Sequence, residues 1–276
     1  MKETKLAFIG CGNMARSLIG GLIADGWNPR NIRVADSDPA QLERISGTSP
    51  VTTFTQNNAA ITDVDVVVLA IKPQITAMVC RELADTIARQ QPLVISIAAG
   101  IRESALRNWL GKQTAIVRSM PNTPAMVQSG AAALYANPAV SEAQRSIAES
   151  ILRAVGLAIW IDDEALMDAV TALSGSGPAY FFLFMESLEA AGCKLGLPPQ
   201  TARLLTLQTA FGAAKMALES SEDAATLRRR VTSPGGTTEN AVAVFEENGF
   251  AGLVSQALHA AASRSRELAD EFGSRT

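Results

Sequence analysis

The chain has 276 residues, 47% of them hydrophobic and 18% charged, with a formal net charge of −3. That length allows about two domains with substantial cores, and the charge balance lacks the basic excess that nucleic-acid binding requires. No apolar run approaches the ~18 residues of a membrane span.

Met1–Lys5 leads straight into a strand pattern and leaves no room for a signal peptide. Cys11, Cys80 and Cys193 are odd in number, widely scattered and without metal-ligand spacing, which fits reduced thiols in a cytoplasm. No metal site is expected.

The first strand, at 5–9, runs into Gly10-Cys11-Gly12-Asn13-Met14-Ala15, and a helix pattern follows at Leu18, Ile19, Leu22 and Ile23. This is G-x-G-x-x-A in the context it needs. Gly10 allows the tight turn, Gly12 lets a pyrophosphate approach the backbone, and Ala15 keeps the helix close to the strand. Cys11 is expected to be a small filler. A second strand, 31–35, ends at Asp36, the acidic residue expected about 20 residues after such a loop. Further strands are expected at 51–54, 64–70, 93–98, 114–118, 130–135 and 157–161. The run Val64–Ala70 is β-branched and apolar enough to be buried on both faces. Helical segments lie between the strands, at 39–46, 76–88 and 102–110, and Ser141 with Gln144 reads as a capping box opening a helix to about Ala154. Alternating elements of this kind predict an α/β Rossmann-type domain with a mostly parallel sheet, over 1–163.

Ligands of such a sheet bind at the carboxyl ends of its strands. Three further loops fall there: Ala70-Ile71-Lys72-Pro73, Ser96–Gly100 with Ala98 and Ala99, and Arg118–Ala125 with Met120. Small residues at Ala98 and Ala99 allow a flat ring to approach the backbone, and Met120 with its flanking prolines makes a stiff apolar wall. Lys72 reads equally well as a ribose or phosphate contact and as a surface lysine.

After residue 163 strand signals stop and helical patterns take over, at about 164–174, 178–195, 199–219, 223–230, 237–248 and 250–272. The helix from Pro178 through Met185 is apolar almost all round, so it must be buried. In a domain of this size that implies a partner subunit, and an all-α dimerisation domain is expected over 164–276. Arg228–Arg230 reads as a solvated helix face, and His259, the one histidine, as a helix-surface or interface residue. Between them, Val231-Thr232-Ser233-Pro234-Gly235-Gly236-Thr237-Thr238 is a bend entering a helix, whose free N–H groups suit a small carboxylate.

The set GCGNMA, AIKP, SIAAG, RSMPNTPA, VTALSGSGPAYFF and VTSPGGTT, in that order from Phe8 to Thr238, resembles the pyrroline-5-carboxylate reductase family. The resemblance implies NADPH- or NADH-dependent reduction of 1-pyrroline-5-carboxylate to L-proline, the last step of proline biosynthesis. It implies a Rossmann domain, an interlocked helical dimer and often a ring of dimers that forms a decamer. Carried over by position, it assigns the cofactor to Gly10, Cys11, Gly12, Asn13, Met14, Ala15, Asn57, Ala70, Ile71, Lys72, Pro73, Ala98 and Ala99. The substrate carboxylate goes to Ser233, Gly235, Gly236, Thr237 and Thr238, with Thr238 bonded to the ring nitrogen as the catalytic residue. One departure is Ala35-Asp36-Ser37-Asp38, where Asp36 favours a free 2′-hydroxyl and Ser37 favours a phosphate. Both cofactors therefore stay open. Two other readings compete: a β-hydroxyacid dehydrogenase, whose second-domain lysine is missing after Ser174–Gly177, and a non-catalytic nucleotide sensor, which the intact Gly235–Thr238 turn does not favour.

Overall fold

The structure, a computed structural model, describes residues 2–273; residue 1 and residues 274–276, at the outer ends of the two expected domains, lie outside it. Eight strands form one sheet: β1 (Leu6–Ile9), β2 (Ile32–Ala35), β3 (Thr52–Phe54), β4 (Val66–Leu69), β5 (Leu93–Ser96), β6 (Ile116–Met120), β7 (Gly130–Ala136) and β8 (Gly156–Trp160). Their order is β3-β2-β1-β4-β5-β6-β7-β8. Neighbours are parallel except β6 and β7. The nine residues 121–129 between that pair hold only a 3₁₀ turn, Thr123–Val127. So short a link cannot make the crossover that a parallel pair requires.

Helices α1 (Asn13–Ala24), α2 (Pro39–Ser46), α3 (Asn57–Ala60), α4 (Pro73–Gln90), α5 (Glu103–Leu110) and α6 (Glu142–Arg153) connect the strands. The predicted capping box opens α6: Ser141 and Gln144 bond each other's backbone. Alternate strand residues feed two separate cores. Leu6, Phe8, Val66 and Val68 pack on one face with Leu18 and Leu22 of α1. Ala7, Ile9, Val67 and Leu69 pack on the other with Leu83 of α4 and Trp109 of α5. Burial on both faces is why β1 and β4 read as continuous apolar runs.

The remaining helices are α7 (Met167–Val170), α8 (Gly177–Lys194), α9 (Pro199–Glu219), α10 (Ala224–Arg230), α11 (Thr237–Glu247) and α12 (Phe250–Gly273), with a π-helical turn at Thr171–Gly175. The chain packs as two units. Residues through Ser176, with those from Ala260 onward, make the first; Gly177–His259 make the second. Within the first unit, Phe272 of α12 joins the second core, Ser265 Oγ donates to Asp168 Oδ1 at 2.6 Å, and Arg102 pairs with Asp270 at 2.7 Å.

Within the second unit α8 lies against α9. Phe245 meets the rings of Phe184 and Phe250 at 6.0 and 5.6 Å. The apolar first turns of α8 stay open: Phe181, Phe182 and Leu183 are 66%, 63% and 64% exposed. Among the described residues no helix is long and apolar enough to cross a membrane.

Candidate functional site

The hydrogen-bond ladders run on past the strand ends. The N–H of Gly10 donates to Ala35 O at 2.7 Å, that of Ala70 to Ile9 O at 2.8 Å, and that of Ile97 to Leu69 O at 3.1 Å. The loops after β1, β4 and β5 therefore leave from one edge of the sheet. In the first of them Gly10 has φ +95, and a Cβ there would lie 2.4 Å from the carbonyl oxygen of Ala70, so only glycine is accommodated. Gly12 is different. It is the N-cap of α1 with no side-chain cap, and a Cβ on it would meet nothing within 4 Å. The first N–H groups of α1 thus face an open cradle, the arrangement a pyrophosphate needs.

Two charged side chains hold this loop by one residue. Asp36 Oδ2 accepts the N–H of Cys11 at 2.7 Å, and its Oδ1 accepts the N–H of Asp38 at 2.9 Å. Arg16 Nη1 donates to the carbonyl of Cys11 at 3.1 Å and also to Gln41 Oε1, and its Nη2 donates to Asn13 Oδ1. The Cys11 side chain is fully buried, as a filler would be. Burial first, then the Asp36 charge, pushes its thiol pKa up, against a smaller lowering by Arg16. Ser37 is exposed, and Asp38 caps α2 by accepting the N–H of Ala40 at 2.9 Å.

Lys72 is exposed and is the N-cap residue of α4, followed by Pro73 in the first turn. Ala70 and Ile71 are half-buried, Ala98 is buried, and Ala99 is exposed at the turn where Gly100 takes φ +71. Asn57 opens α3, and its amide donates to Glu82 Oε2 at 3.1 Å. Met120 ends β6 and lies beside Gly175, where a Cβ would come within 2.5 Å of its Cε. Asn122 fastens that loop down. Its amide donates to the carbonyl and hydroxyl oxygens of Ser174 at 3.2 and 3.3 Å, and its Oδ1 accepts the N–H of Ala131 at 2.9 Å.

In the second unit Ser233–Thr238 make one turn. Gly235 has φ +70, the N–H of Gly236 closes on Ser233 O at 3.0 Å, and Gly236 is the N-cap of α11 with no side-chain cap. Thr237 and Thr238 are its first two residues, Thr238 half-buried. Like α1, this helix starts on a glycine N-cap. Arg228 pairs with Glu246 and Arg230 with Glu222, both at 2.5 Å, as members of a solvated face do. His259 Nδ1 bonds the Ser255 carbonyl of its own helix at 2.8 Å.

Sequence reasoning missed Arg16, Glu239 and Asn122. Glu239 Oε2 accepts the N–H of Gly235 at 2.6 Å. The signals were modest. Arg16 is the residue directly after the G-x-G-x-x-A motif, and Glu239 is an acid in the first turn of a helix, where the dipole favours one.

Residues 164–268 match the family described as pyrroline-5-carboxylate reductase dimerisation. Residues 5–100 match the family described as NADP oxidoreductase, coenzyme F420-dependent. Over 273 residues the chain is 54% identical to the pyrroline-5-carboxylate reductase of Pseudomonas aeruginosa, covering 99% of this chain and 100% of that one. The structure of a pyrroline-5-carboxylate reductase from Coxiella burnetii is similar with a TM-score of 0.93 and 48% identity, over 96% and 98% of the two chains. That of Plasmodium falciparum pyrroline carboxylate reductase with NADP bound is similar with a TM-score of 0.86 and 30% identity, over 98% and 99%.

Proposed function

Because the chain belongs to the pyrroline-5-carboxylate reductase family, we infer that it reduces 1-pyrroline-5-carboxylate to L-proline with NADPH or NADH, the last step of proline biosynthesis. The observation that carries this reading is the pair of helix starts whose N-cap is a glycine and therefore carries no side chain at all, α1 behind Gly12 and α11 behind Gly236. Each offers backbone N–H groups to an anion, one suited to a pyrophosphate and one to a carboxylate.

The residues present fit a dinucleotide. A side chain at Gly12 would fill open space rather than strike protein, so the space before α1 is kept free by the choice of glycine. Gly10, Cys11, Gly12, Asn13, Met14 and Ala15 would hold the pyrophosphate. Asp36, Ser37 and Asn57 would lie toward the adenosine, and Ala70, Ile71, Lys72, Pro73, Ala98 and Ala99 toward the nicotinamide. When bound, the cofactor supplies the hydride.

The chain's own contribution is placement. Ser233, Gly235, Gly236, Thr237 and Thr238 form the turn for the substrate carboxylate. The N–H groups of Gly235 and Gly236 close the turn on Glu239 and Ser233, those of Thr237 and Thr238 at the helix start take the carboxylate, and the Thr238 hydroxyl bonds the ring nitrogen. Reduction of C=N needs a hydride on carbon and a proton on nitrogen. A cyclic imine is basic enough to arrive partly protonated, so Thr238 has to orient the protonated N–H, and less general-acid power is required than for a ketone. Holding the ring in a near-attack geometry is then the main source of acceleration.

The assignment of residues 1–163 to cofactor binding and 164–276 to dimerisation and substrate is part of the same proposal, supported by the dimerisation match. So are assembly of the dimers into a decamer and a cytoplasmic location. The test is the fall in NADPH or NADH absorbance with pyrroline-5-carboxylate, then with 3-hydroxy acids, then with neither. Oxidation only with the imine is expected. Turnover of the hydroxy acids instead would replace this reading with a dehydrogenase.

A further inference from the structure

Arg16 is a cation whose placement neither hydride chemistry nor the substrate turn explains. It lies at the end of the first turn of α1, half-buried, with its guanidinium turned back toward the loop it follows. Of its five N–H donors, Nη1 commits two, to Cys11 O and Gln41 Oε1, and Nη2 commits one, to Asn13 Oδ1. Nε–H and one Nη2–H remain. Gln41 belongs to the first turn of α2, which β2 enters through Asp36, Ser37 and Asp38. The guanidinium therefore lies on the β2 side of the loop, where the adenosine ribose of a dinucleotide hangs.

The acids on that side already serve the protein's own backbone. Both oxygens of Asp36 accept backbone N–H groups, at 2.7 and 2.9 Å, and Asp38 Oδ1 caps α2. Asp36 braces the loop that either cofactor uses. The side chain there with charge and donors to spare for an anion is Arg16, and a planar guanidinium with two free N–H groups matches a phosphate.

We propose that Arg16 is the specificity-determining residue for the phosphorylated cofactor, its two uncommitted N–H groups taking the 2′-phosphate of NADPH. The proposal rests on the reading of Gly10–Ala15 as the pyrophosphate loop.

The test measures binding, not turnover: calorimetric affinities of the full-length protein for 2′,5′-ADP and for 5′-ADP. Arg16→Gln is expected to weaken 2′,5′-ADP about tenfold or more and to leave 5′-ADP within about twofold. Arg16→Lys keeps the charge and should restore part of the loss. Gln41→Glu leaves Arg16 in place but sets a carboxylate against its guanidinium. It should also weaken 2′,5′-ADP selectively, which keeps the test open if Arg16→Gln fails to fold. Arg44→Gln, at the far end of α2, should change neither. Equal weakening of both fragments by the Arg16 and Gln41 variants would make Arg16 a loop brace and overturn the proposal, as would no change in either. Wild-type protein that binds neither fragment would overturn the pyrophosphate-loop reading itself.

Discussion

The carboxylate of Glu239 accepts the N–H of Gly235 at 2.6 Å, reaching back across the bend that opens α11. An anion of the protein's own is thus placed at the turn proposed to hold the substrate's carboxylate. Glu239→Gln keeps an acceptor for Gly235 but removes the like charge. The KM for pyrroline-5-carboxylate is expected to fall about two- to fivefold, about 0.4–1 kcal/mol, with kcat and cofactor affinity unchanged. A KM that stays or rises would show that Glu239 lies outside the substrate's reach.

Thr238→Ala removes the one hydroxyl assigned to the ring nitrogen. A lost hydrogen bond of this kind costs about 1–3 kcal/mol, so kcat/KM should drop roughly ten- to a hundredfold. Affinity for NADPH, which is proposed to bind at the separate loop near Gly12, should not move. Gly236→Val should do worse, because even its Cβ would lie 2.6 Å from Ser233 Oγ and 3.0 Å from Ser233 O. Full activity of Thr238→Ala at low substrate would reduce the turn to a helix start and nothing more.

The two glycines of the first loop should fail differently. At Gly10 a Cβ meets the Ala70 carbonyl at 2.4 Å and φ is +95, so Gly10→Val is expected to lower the thermal midpoint or prevent folding. At Gly12 nothing lies within 4 Å. Gly12→Val should keep the midpoint within a few degrees and weaken NADPH more than about tenfold, by standing where the pyrophosphate goes. Thermal melts and NADPH fluorescence titrations on both variants separate the two effects. Retained affinity in Gly12→Val would place the cofactor elsewhere.

Phe181, Phe182 and Leu183 are each more than half exposed on α8. Burying such side chains is worth about 1.5–3 kcal/mol apiece. The full chain should therefore be a dimer or larger at micromolar concentration, and Phe182→Asp should shift it toward monomer. Light scattering decides; a monomeric wild type would sink the expectation.

Burial pushes the Cys80 thiol up to about 12 from an ordinary value of 9.0, outweighing the opposing charge of Arg81. Below about pH 9 neither the folded nor the unfolded chain loses this proton, and the stability from burying the neutral thiol is intact. Between about 9 and 12 the unfolded chain ionises and the folded one does not. Stability should then fall with pH by up to about 1.4 kcal/mol per unit from this group. Urea titrations from pH 8 to 10.5 should show a shallower decline in Cys80→Ala than in wild type. In the native protein at pH 8, Cys80 and Cys11 should resist a thiol reagent, with Cys193 the first to react. Rapid labelling of Cys80 would contradict its burial.

Much of this architecture was legible in the residues. The run Val64–Ala70 announced β4, Ser141 and Gln144 announced the start of α6, and the two glycine-led helix starts stood out by composition. Each depends on residues within a few positions of one another, so pattern reading finds it. The reversal at β7 did not announce itself, because only the sheet shows which strand the nine residues after Met120 return beside. Nor did the commitment of the Asn57 amide to Glu82, a partner 25 positions away.

The sequence alone determined the order of strands and helices, the mostly parallel class of the sheet, and the two glycine-led helix starts, because periodicity and the φ demands of glycine are local. Only the tertiary structure decided that Asp36 faces the Cys11 N–H, that Arg16 reaches Gln41, and that the end of α12 packs Phe272 into the sheet's second core. A charged side chain takes whichever donor or acceptor the fold brings within about 3 Å, and an apolar one takes whichever surface lets it leave water. Those partners are neighbours in space, not in the chain.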